Sequence, residues 1–399
     1  MFRFLFIFSC AHIVFCLLCI NDQVKADENE SHEMTTIITP EIKSEKIHLR
    51  ITPSQKENWR ALAEAQGVSL AAWIENKISM ALASNNDTFV KEKYKLVSLF
   101  SGCGGMDLGF CGGFSFLNEE YKKTKFEITW ANEFNPNAVK TYKKNFSHNI
   151  IEGDIWGLID LVPTECDVLI GGFPCQDISI NGKRAGVDGK RSGLYLAMVE
   201  AVKRSRPKIF IAENVKGLLM KYNEESLARV INDFSELGYN VSYKLYNSAN
   251  FGVPQTRERV FIVGTLHGNP LFKEPVDILH KNEWLTCHDA IHDLEKSDED
   301  RIRNHIWSKA KKSPDQGSRR LKEDKPSQTI RAECHGNIQF HYKLDRRISM
   351  REAARLQSFP DNFVFESNLR ETERQVGNAV PPVLAWHLAQ AVQEYLDKL

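Results

Sequence analysis

A cysteine at the end of an apolar run is the first residue whose type and position could do chemistry. Cys175 follows the segment Gly171-Gly172-Phe173-Pro174, which closes a run that begins at Cys166. A free cysteine is most often a small buried hydrophobe. Here, however, a stiff turn at a strand end would project the sulfur into a crevice, where a nucleophile is needed. The pattern therefore predicts a catalytic thiolate at Cys175.

Charged side chains flank two further apolar runs. Glu213 comes directly after one strand-like run, and Arg257 and Arg259 come directly before another. In an open α/β sheet the carboxyl ends of the parallel strands form the ligand crevice. We therefore expect the Glu213 carboxyl group and the two guanidinium groups to lie at the same edge as the Cys175 sulfur.

A glycine-rich loop and two acidic residues mark the ends of three earlier runs. The run Lys95–Phe100 continues into Ser101–Met106, whose glycines allow a sharp turn and close approach of the backbone to a ligand. Glu133 ends the second run, where a carboxylate can hold ribose hydroxyl groups. Asp154 follows the third run, and its carboxylate suits an adenine amino group. Each feature alone is weak, but three successive strands with such ends predict a nucleotide-like cofactor site.

The order of short apolar runs and helical stretches from Tyr94 to Leu399 is typical of an α/β protein with a mostly parallel sheet. Of the 399 residues, 42% are hydrophobic and 26% are charged. This composition excludes a disordered chain, a coiled coil and a disulfide-stapled miniprotein. Lys plus Arg and Asp plus Glu both number 52, so the net charge does not indicate a nucleic-acid partner. The segment from Arg301 to Arg347 is nevertheless basic, with 13 Lys and Arg against 5 Asp and Glu, which suits a phosphate-binding surface.

These motifs, taken in order, resemble those of the cytosine-carbon-5 DNA methyltransferases, which use S-adenosylmethionine. The resemblance spans Tyr94 to the C-terminus, and each motif is short, but eight of them in order are very specific. It implies a Rossmann-like methyltransferase fold with a small target-recognition domain. The motifs are Phe100–Gly105, Glu133, Asp154, Phe173-Pro174-Cys175-Gln176, Glu213-Asn214-Val215, Gln255–Arg259, Arg351–Pro360 and Gln375–Pro382.

The resemblance gives each group a role. The Cys175 thiolate is expected to add to carbon-6 of cytosine, so that carbon-5 becomes nucleophilic. Protonated Glu213 would donate at ring nitrogen 3, while Arg257 and Arg259 orient the base carbonyl and the phosphate. The target base must be rotated out of the duplex to reach these groups.

The resemblance also implies a set of cofactor-binding residues. The C-terminal segment is expected to pack beside the first strand, which would bring Asn378 close to Phe100. The residues expected to bind S-adenosylmethionine are Phe100, Ser101, Gly102, Gly104, Gly105, Glu133, Phe134, Asp154, Ile155, Pro174, Leu194, Asn378, Ala379 and Val380.

Double-stranded DNA is the implied substrate. Residues 94–265 and 347–399 are expected to form the catalytic domain, and residues 266–346, where the regular alternation fades, the target-recognition domain. Gln176, Ser179, Thr329 and Arg331 are the residues in these parts that are expected to contact DNA. A surface loop with solvated lysines is the alternative for the basic segment. The implied further partner is a restriction endonuclease of a restriction-modification system.

Residues 47–84 predict a separate small unit. A strand with one polar face is followed by a helix that starts at Thr52-Pro53 and runs to Gly67, and Ser69 can cap a second helix. The pattern resembles the ribbon-helix-helix DNA-binding proteins, whose paired strands lie in the major groove. The resemblance implies a homodimer in which His48 and Arg50 face the bases. A helical hairpin used for dimerisation alone is the alternative.

The N-terminal segment conflicts with a cytoplasmic DNA-modifying protein. Residues 1–33 begin with an almost continuous apolar run, Met1–Ile20, which by itself would be taken as a secretory signal or a marginal membrane helix. The alternative is that translation begins near Met34 and the leader is spurious. Of the nine cysteines only Cys16 and Cys19 have C-x-x-C spacing, so neither a zinc site nor a disulfide framework is predicted. A reducing cytoplasm is the simplest interpretation.

Two other functions remain open at this point. An RNA cytosine-5 methyltransferase of the transfer-RNA-directed branch would share the fold and the chemistry. The recognition insert of about eighty residues and the N-terminal unit favour DNA instead. The second alternative is a DNA-binding regulator that acts through residues 47–84, and it is compatible with methyltransferase activity because such a fusion could limit its own synthesis.

Overall fold

The computed structural model describes residues 53–65, 68–74, 77, 93–173, 193–311, 319–332 and 338–399. Two compact units divide the chain, residues 1–90 and residues 91–399. The predictions that lie outside the described residues concern the leader, His48, Arg50, Pro174, Cys175, Gln176 and Ser179.

The strands of the larger unit follow the apolar runs of the sequence. In chain order they are β1 (Tyr94–Leu99), β2 (Phe114–Phe116), β3 (Glu119–Tyr121), β4 (Phe126–Glu133), β5 (Ile150–Glu152), β6 (Val168–Gly172), β7 (Ile209–Val215), β8 (Tyr239–Asn247), β9 (Gln255–Thr256), β10 (Glu258–Leu266) and β11 (Ser327–Gln328). Seven of them form one sheet in the order β5–β4–β1–β6–β7–β10–β8. The small pairs β2–β3 and β9–β11 lie outside it.

The sheet is mostly parallel, which confirms the predicted fold class. Strands β5, β4, β1, β6 and β7 pair in parallel, and β10 runs antiparallel between β7 and β8. Because β10 runs in the opposite direction, its first residues lie at the edge where the parallel strands end. Arg259 is therefore opposite Val215, and Phe261 is opposite Glu213.

Helices cover both faces of this sheet. In chain order the helices are α1 (Pro53–Ala65) in the N-terminal unit, then α2 (Gly105–Cys111), α3 (Pro136–Asn145), α4 (Ile155–Leu158), α5 (Leu194–Ser205), α6 (Glu224–Glu236), α7 (Cys287–Ile291), α8 (Met350–Leu356), α9 (Leu369–Asn378) and α10 (Pro382–Leu396).

Successive residues of the central strands enter opposite cores, as the two-residue period of a strand requires. In β1, Leu96 joins one apolar cluster with α2, α3 and α10, whereas Val97 joins the other with α5 and α6. Leu96 and Val97 are both fully buried, and burial on both faces explains why apolar residues follow one another in β1, β6 and β7.

Helix α10 returns beside the first strand, as the sequence predicts. It packs on α2 so closely that a Cβ atom on Gly109 would lie 2.3 Å from Cβ of Ala385. At the end of the same helix, Asp397 accepts a hydrogen bond from the Tyr94 hydroxyl group at 2.6 Å. The C-terminal segment thus closes over the amino end of β1 and over the helix that follows it.

The described part of residues 266–346 contains little regular structure beyond α7 and β11. Its apolar side chains, among them Cys287, Leu321 and Ile330, share a third cluster with residues of α8 and α9. Strand β11 pairs in parallel with β9, so Ser327 is opposite Gln255. The region is therefore packed onto the C-terminal helices through a common core.

The described residues of the N-terminal unit are helical in two places. Helix α1 begins at Pro53, and Ser69 Oγ accepts a hydrogen bond from the backbone N–H of Ala72 at 3.2 Å, as an N-cap does. The rings of Trp59 and Trp73 lie 6.1 Å apart. Among the described residues, none of the helices has the length and apolar composition that a membrane span requires.

Candidate active site

A cavity of about 610 Å³ lies at the carboxyl edge of the central sheet. Its volume is in the usual range for small-molecule sites. The ends of β1, β4, β6 and β7 form its walls together with the segment after α9. Of the residues expected to bind cofactor or to act on the base, the cavity is lined by Phe100, Ser101, Gly102, Gly105, Glu133, Phe134, Asp154, Ile155, Leu194, Glu213, Arg257, Arg259, Asn378, Ala379 and Val380.

The glycine-rich loop turns sharply out of β1 at the cavity wall. Phe100 has a φ of 54° and Gly102 a φ of 58°, conformations that a residue with a side chain rarely adopts. A Cβ atom on Gly102 would meet nothing within 4 Å, so the backbone there faces open space. Gly105 instead touches the C-terminal segment, since its Cβ would lie 2.5 Å from the Val380 carbonyl oxygen. Phe100 and Asn378 line the same cavity, as expected.

Gly104 does not fit its predicted role. It belongs to the loop but not to the cavity wall. A Cβ atom on Gly104 would lie 2.3 Å from Cε2 of Phe146, and its φ is 91°. This glycine therefore allows the loop to pack against an aromatic ring on the side away from the cavity, and the sequence pattern cannot distinguish that task from ligand contact.

The Glu133 carboxylate is fixed by two backbone donors. Its Oε2 accepts the N–H of Gly102 at 2.8 Å, and its Oε1 accepts the N–H of Asn135 at 2.8 Å. A carboxylate offers about four acceptor positions, so two remain for a ligand. The adjacent Phe134 side chain is 73% exposed at the cavity. An exposed ring beside a carboxylate that faces a cavity is suited to a nucleoside.

Asp154 is exposed and begins α4. Its Oδ1 accepts the backbone N–H of Trp156 at 3.1 Å, which makes it the N-cap of that helix. The capping bond explains how the side chain is oriented at the cavity, beside Ile155. Leu194 lines the cavity from the first position of α5.

Glu213 forms an ion pair at the rim of the cavity. Its Oε1 lies 2.9 Å from Arg259 Nε, and each side chain is 12% exposed. Its Oε2 lies 2.9 Å from the position that a Cβ atom on Gly172 would occupy. A residue with a side chain at 172 would push this carboxylate away, so Gly172 brings Glu213 against the end of β6. Burial lowers the pKa of the Arg259 guanidinium, and the Glu213 carboxylate opposes this effect.

Arg257 is placed differently from the expectation that it orients the base. It is 1% exposed, and its Nη1 and Nη2 donate to the backbone carbonyls of Ile330 at 3.1 Å and Gly377 at 2.9 Å. Burial and the neighbouring Arg259 lower the pKa of this guanidinium. The side chain thus ties the residue between β9 and β10 to Ile330 and to the end of α9, whereas the charge of Arg259 is paired to Glu213.

Gln255, which the sequence analysis treats only as part of a motif, completes this tie. Its Nε2 donates to the Leu356 carbonyl oxygen at 3.1 Å, and its Oε1 accepts the N–H of Ile330 at 3.0 Å. The predicted DNA contact Thr329 donates its hydroxyl hydrogen to the Thr256 carbonyl oxygen at 3.0 Å, whereas Arg331 is exposed. The buried Gln255 side chain therefore ties this motif to the end of α8 and to the segment after β11.

Sequence reasoning missed several polar residues of the cavity wall. Asp107 is fully buried in α2, and burial raises the pKa of its carboxyl group to about 6, although a hydrogen bond from the Tyr142 hydroxyl group at 2.7 Å opposes this shift. Arg374 and Gln375 reach the wall from α9, directly before the predicted Asn378 segment. Their position next to that motif is a signal that could have identified them, whereas nothing in the sequence marks Asp107 as buried.

The fold and the site define the class of protein. A mostly parallel sheet between helical layers, with a nucleoside-sized cavity at its carboxyl edge, is the Rossmann-like methyltransferase architecture. Solved structures agree on the fold: the Schizosaccharomyces pombe Dnmt2 methyltransferase has a TM-score of 0.56 at 18% identity, over 76% of this chain and 99% of that one. A Spodoptera frugiperda DNMT2 variant has a TM-score of 0.55 at 16% identity, over 75% and 99%.

Sequence similarity identifies the family. The profile of the C-5 cytosine-specific DNA methylases matches residues 94–322 and 308–394, and the chain belongs to this family. The type II methyltransferase M.NgoFVII of Neisseria gonorrhoeae is 36% identical over 335 residues, which are 75% of this chain and 86% of that protein. M.FnuDI of Fusobacterium nucleatum is 35% identical over 338 residues, 76% and 95%. The protein is thus a DNA cytosine methyltransferase, as the motifs predicted.

Proposed function

We propose that the protein methylates carbon-5 of a cytosine within a specific DNA sequence, with Cys175 as nucleophile and S-adenosylmethionine as methyl donor. The observation that carries this mechanism is the position of Glu213. Its carboxylate is ion-paired to Arg259 and lies against Gly172, at the rim of the cavity.

Chain geometry bounds the distance from this carboxylate to the nucleophile. Cys175 is three residues after Gly172, and three residues span at most about 11 Å even when fully extended. Gly172 and Glu213 are partners in the parallel register of β6 and β7. We therefore infer that the chain after Gly172 is long enough for the Cys175 sulfur to reach a cytosine that is held at Glu213.

The proposed chemistry divides one difficult step into easier ones. The Cys175 thiolate adds to carbon-6, and the electron pair of the ring double bond moves so that carbon-5 becomes nucleophilic. Glu213, with Arg259 beside it, stabilises the charge that develops toward ring nitrogen 3. After methylation at carbon-5, loss of the carbon-5 proton restores the ring double bond and expels the Cys175 sulfur.

The cavity fits S-adenosylmethionine, which supplies an electrophilic methyl group when bound. Gly102 leaves its backbone open to a ligand, and the fixed Glu133 carboxylate has acceptor positions left for ribose hydroxyl groups. The exposed Phe134 ring can stack on adenine, and Asp154 can accept from its amino group. Asn378, Ala379 and Val380 form the part of the wall that lies against this loop.

We also propose a role for each segment of the chain. Residues 94–265 and 347–399 do the chemistry, while residues 266–346 recognise the target sequence with Thr329 and Arg331 near the DNA. The Arg257 and Gln255 contacts support this arrangement because they fasten the recognition region beside the cavity. Residues 47–84 are proposed to be a dimerising DNA-binding unit that regulates synthesis of the enzyme.

The biological setting follows from the relatives. Curated relatives of the chain include type II methyltransferases, so we propose that this chain is the modification enzyme of a cytoplasmic restriction-modification system with a cognate endonuclease. Bisulfite sequencing of plasmid DNA from cells that express the full chain tests the reaction, the product and the sequence context together. We expect one cytosine within one short recurrent sequence to be fully protected from bisulfite conversion.

Two cysteine variants make this test specific. Cys175→Ala should give no protected cytosine, yet it should still bind S-adenosylmethionine. Cys166→Ala is the matched control, because Cys166 precedes the amino end of β6, at the opposite end of the strand from the rim, and it should protect the same cytosines as the wild type. Protection by the Cys175→Ala protein would refute the covalent scheme, and its absence in the wild type would refute the function.

A further inference from the structure

The chain leaves β7 through an exposed segment with an unusual surface. We call Val215, Lys216, Met220, Lys221 and Tyr222 the β7 ledge. Tyr222 is 81% exposed, and Val215 and Met220 are each 41% exposed, although Leu218 between them is fully buried. Of the residues that precede Val215, Asn214 is buried and Glu213 is half-buried. The exposed surface therefore begins at Val215, where the strand reaches the rim of the cavity.

The ledge is continuous with the mouth of the cavity. Val215 lines the cavity and is two residues beyond Glu213. A Cβ atom on Gly217 would lie 3.7 Å from Cγ2 of Val215 and 4.0 Å from the Tyr222 hydroxyl oxygen. The Val215 side chain and the Tyr222 hydroxyl group therefore both lie at van der Waals distance from the side-chain position of Gly217.

One lysine of the β7 ledge carries a positive charge that is not compensated by an ion pair among the described residues. Lys216 Nζ lies 2.8 Å from Glu258 Oε2, so its charge is already compensated. Within the described ranges, Lys221 has no ion-pair partner, and it directly precedes Tyr222. Glu224 and Glu225 follow in the first turn of α6. The ledge thus offers one aromatic ring, two apolar side chains and one available ammonium group.

We propose that the β7 ledge binds the DNA strand next to the target cytosine, with the Tyr222 ring against the adjacent nucleotide and Lys221 at a phosphate. This inference rests on the proposed function. Val215 lines the cavity two residues beyond Glu213, so a nucleotide joined to a base that is held at Glu213 can lie over Val215. Aromatic rings stack on bases without regard to sequence, and exposed apolar groups beside a lysine match a nucleotide's flat base and charged phosphate.

Steady-state methylation of unmethylated plasmid DNA tests the proposal. Tyr222→Ala should raise the KM for DNA at least about fivefold, the lower limit for loss of one base–aromatic contact. The KM for S-adenosylmethionine should stay within twofold. Tyr222→Phe keeps the ring and should behave as the wild type does. Lys221→Gln should lower the slope of log KM for DNA against log salt concentration by about one, as removal of one phosphate contact does.

Tyr243→Ala is the matched control. Tyr243 is 45% exposed in the edge strand β8 and does not line the cavity, so its KM for DNA should stay within twofold of the wild type. An unchanged KM for DNA in Tyr222→Ala would overturn the proposal. The β7 ledge would then be interpreted as a binding surface for a protein partner. Equal defects in Tyr222→Phe and Tyr222→Ala would overturn the stacking contact. If the wild-type enzyme does not methylate this plasmid, the proposed function itself is refuted.

Discussion

Gly105 offers the most direct test of the contact between the glycine-rich loop and the C-terminal segment. It is the first residue of α2, and its φ is not in the left-handed region, so alanine can adopt its backbone conformation. The new Cβ atom would however lie 2.5 Å from the Val380 carbonyl oxygen, 3.0 Å from Ala379 Cβ and 3.2 Å from Phe359 Cζ. Because a carbon–oxygen contact needs about 3.3 Å, the two segments must separate by nearly 1 Å.

The expected cost follows from two opposing effects. Overpacking of this kind costs about 1–3 kcal/mol in the free energy of unfolding. Replacement of glycine by alanine in a helix returns about 0.5–1 kcal/mol. Gly105→Ala should therefore destabilise the protein by about 1–2 kcal/mol. The displaced Asn378–Val380 segment lines the cavity, so we also expect at least tenfold weaker S-adenosylmethionine binding, about 1.4 kcal/mol.

Gly157→Ala is the control for this experiment. Gly157 lies in α4, and a Cβ atom there would meet nothing within 4 Å. This variant should be as stable as the wild type or slightly more stable, so the free energies of unfolding from urea titrations should differ by about 2 kcal/mol between the two variants. Isothermal titration calorimetry with S-adenosylmethionine gives the affinities. Equal midpoints and affinities for the two variants would refute the proposed contact between loop and C-terminal segment.

Three further predictions concern the same site. In the folded state the Asp107 carboxyl has a pKa raised to about 6 from an ordinary value of 3.8, so its contribution to stability is complete below about pH 4 and is lost as the pH rises through 6. Asp107→Asn removes the buried charge and should raise the free energy of unfolding by up to about 3 kcal/mol at pH 7.5. If this gain in stability does not become smaller below pH 5, the buried charge of Asp107 is not its cause. Glu213→Gln should lower kcat at least about a hundredfold while the Kd for S-adenosylmethionine stays within twofold, and a normal kcat would exclude Glu213 from the chemistry. Phe134→Ala should weaken S-adenosylmethionine binding about fivefold without a change in the unfolding midpoint, whereas the exposed Leu161→Ala, remote from the cavity wall, should alter neither quantity.

Much of the fold could be predicted because the strands are buried on both faces. Runs such as residues 168–170 and 209–212 are continuously apolar, and that pattern is characteristic of parallel sheets. The polar residue that ends each run then marks the edge of the sheet, so Glu133, Asp154 and Glu213 could be assigned to one rim. The antiparallel direction of β10 was not predicted, and it decides that Arg259 meets Glu213 at that rim.

By itself, the sequence determined the order of the strands' polar ends and the chemistry that cysteine, carboxylate and guanidinium groups can perform there. Only the tertiary structure decided which partner each group of one motif contacts. Gly102 faces open space whereas Gly104 faces a phenylalanine ring, and Arg259 pairs with Glu213 whereas Arg257 is sealed among backbone carbonyls. The reason is physical: the partners in these contacts come from distant segments, and local spacing carries no information about which segment packs on which side of a loop.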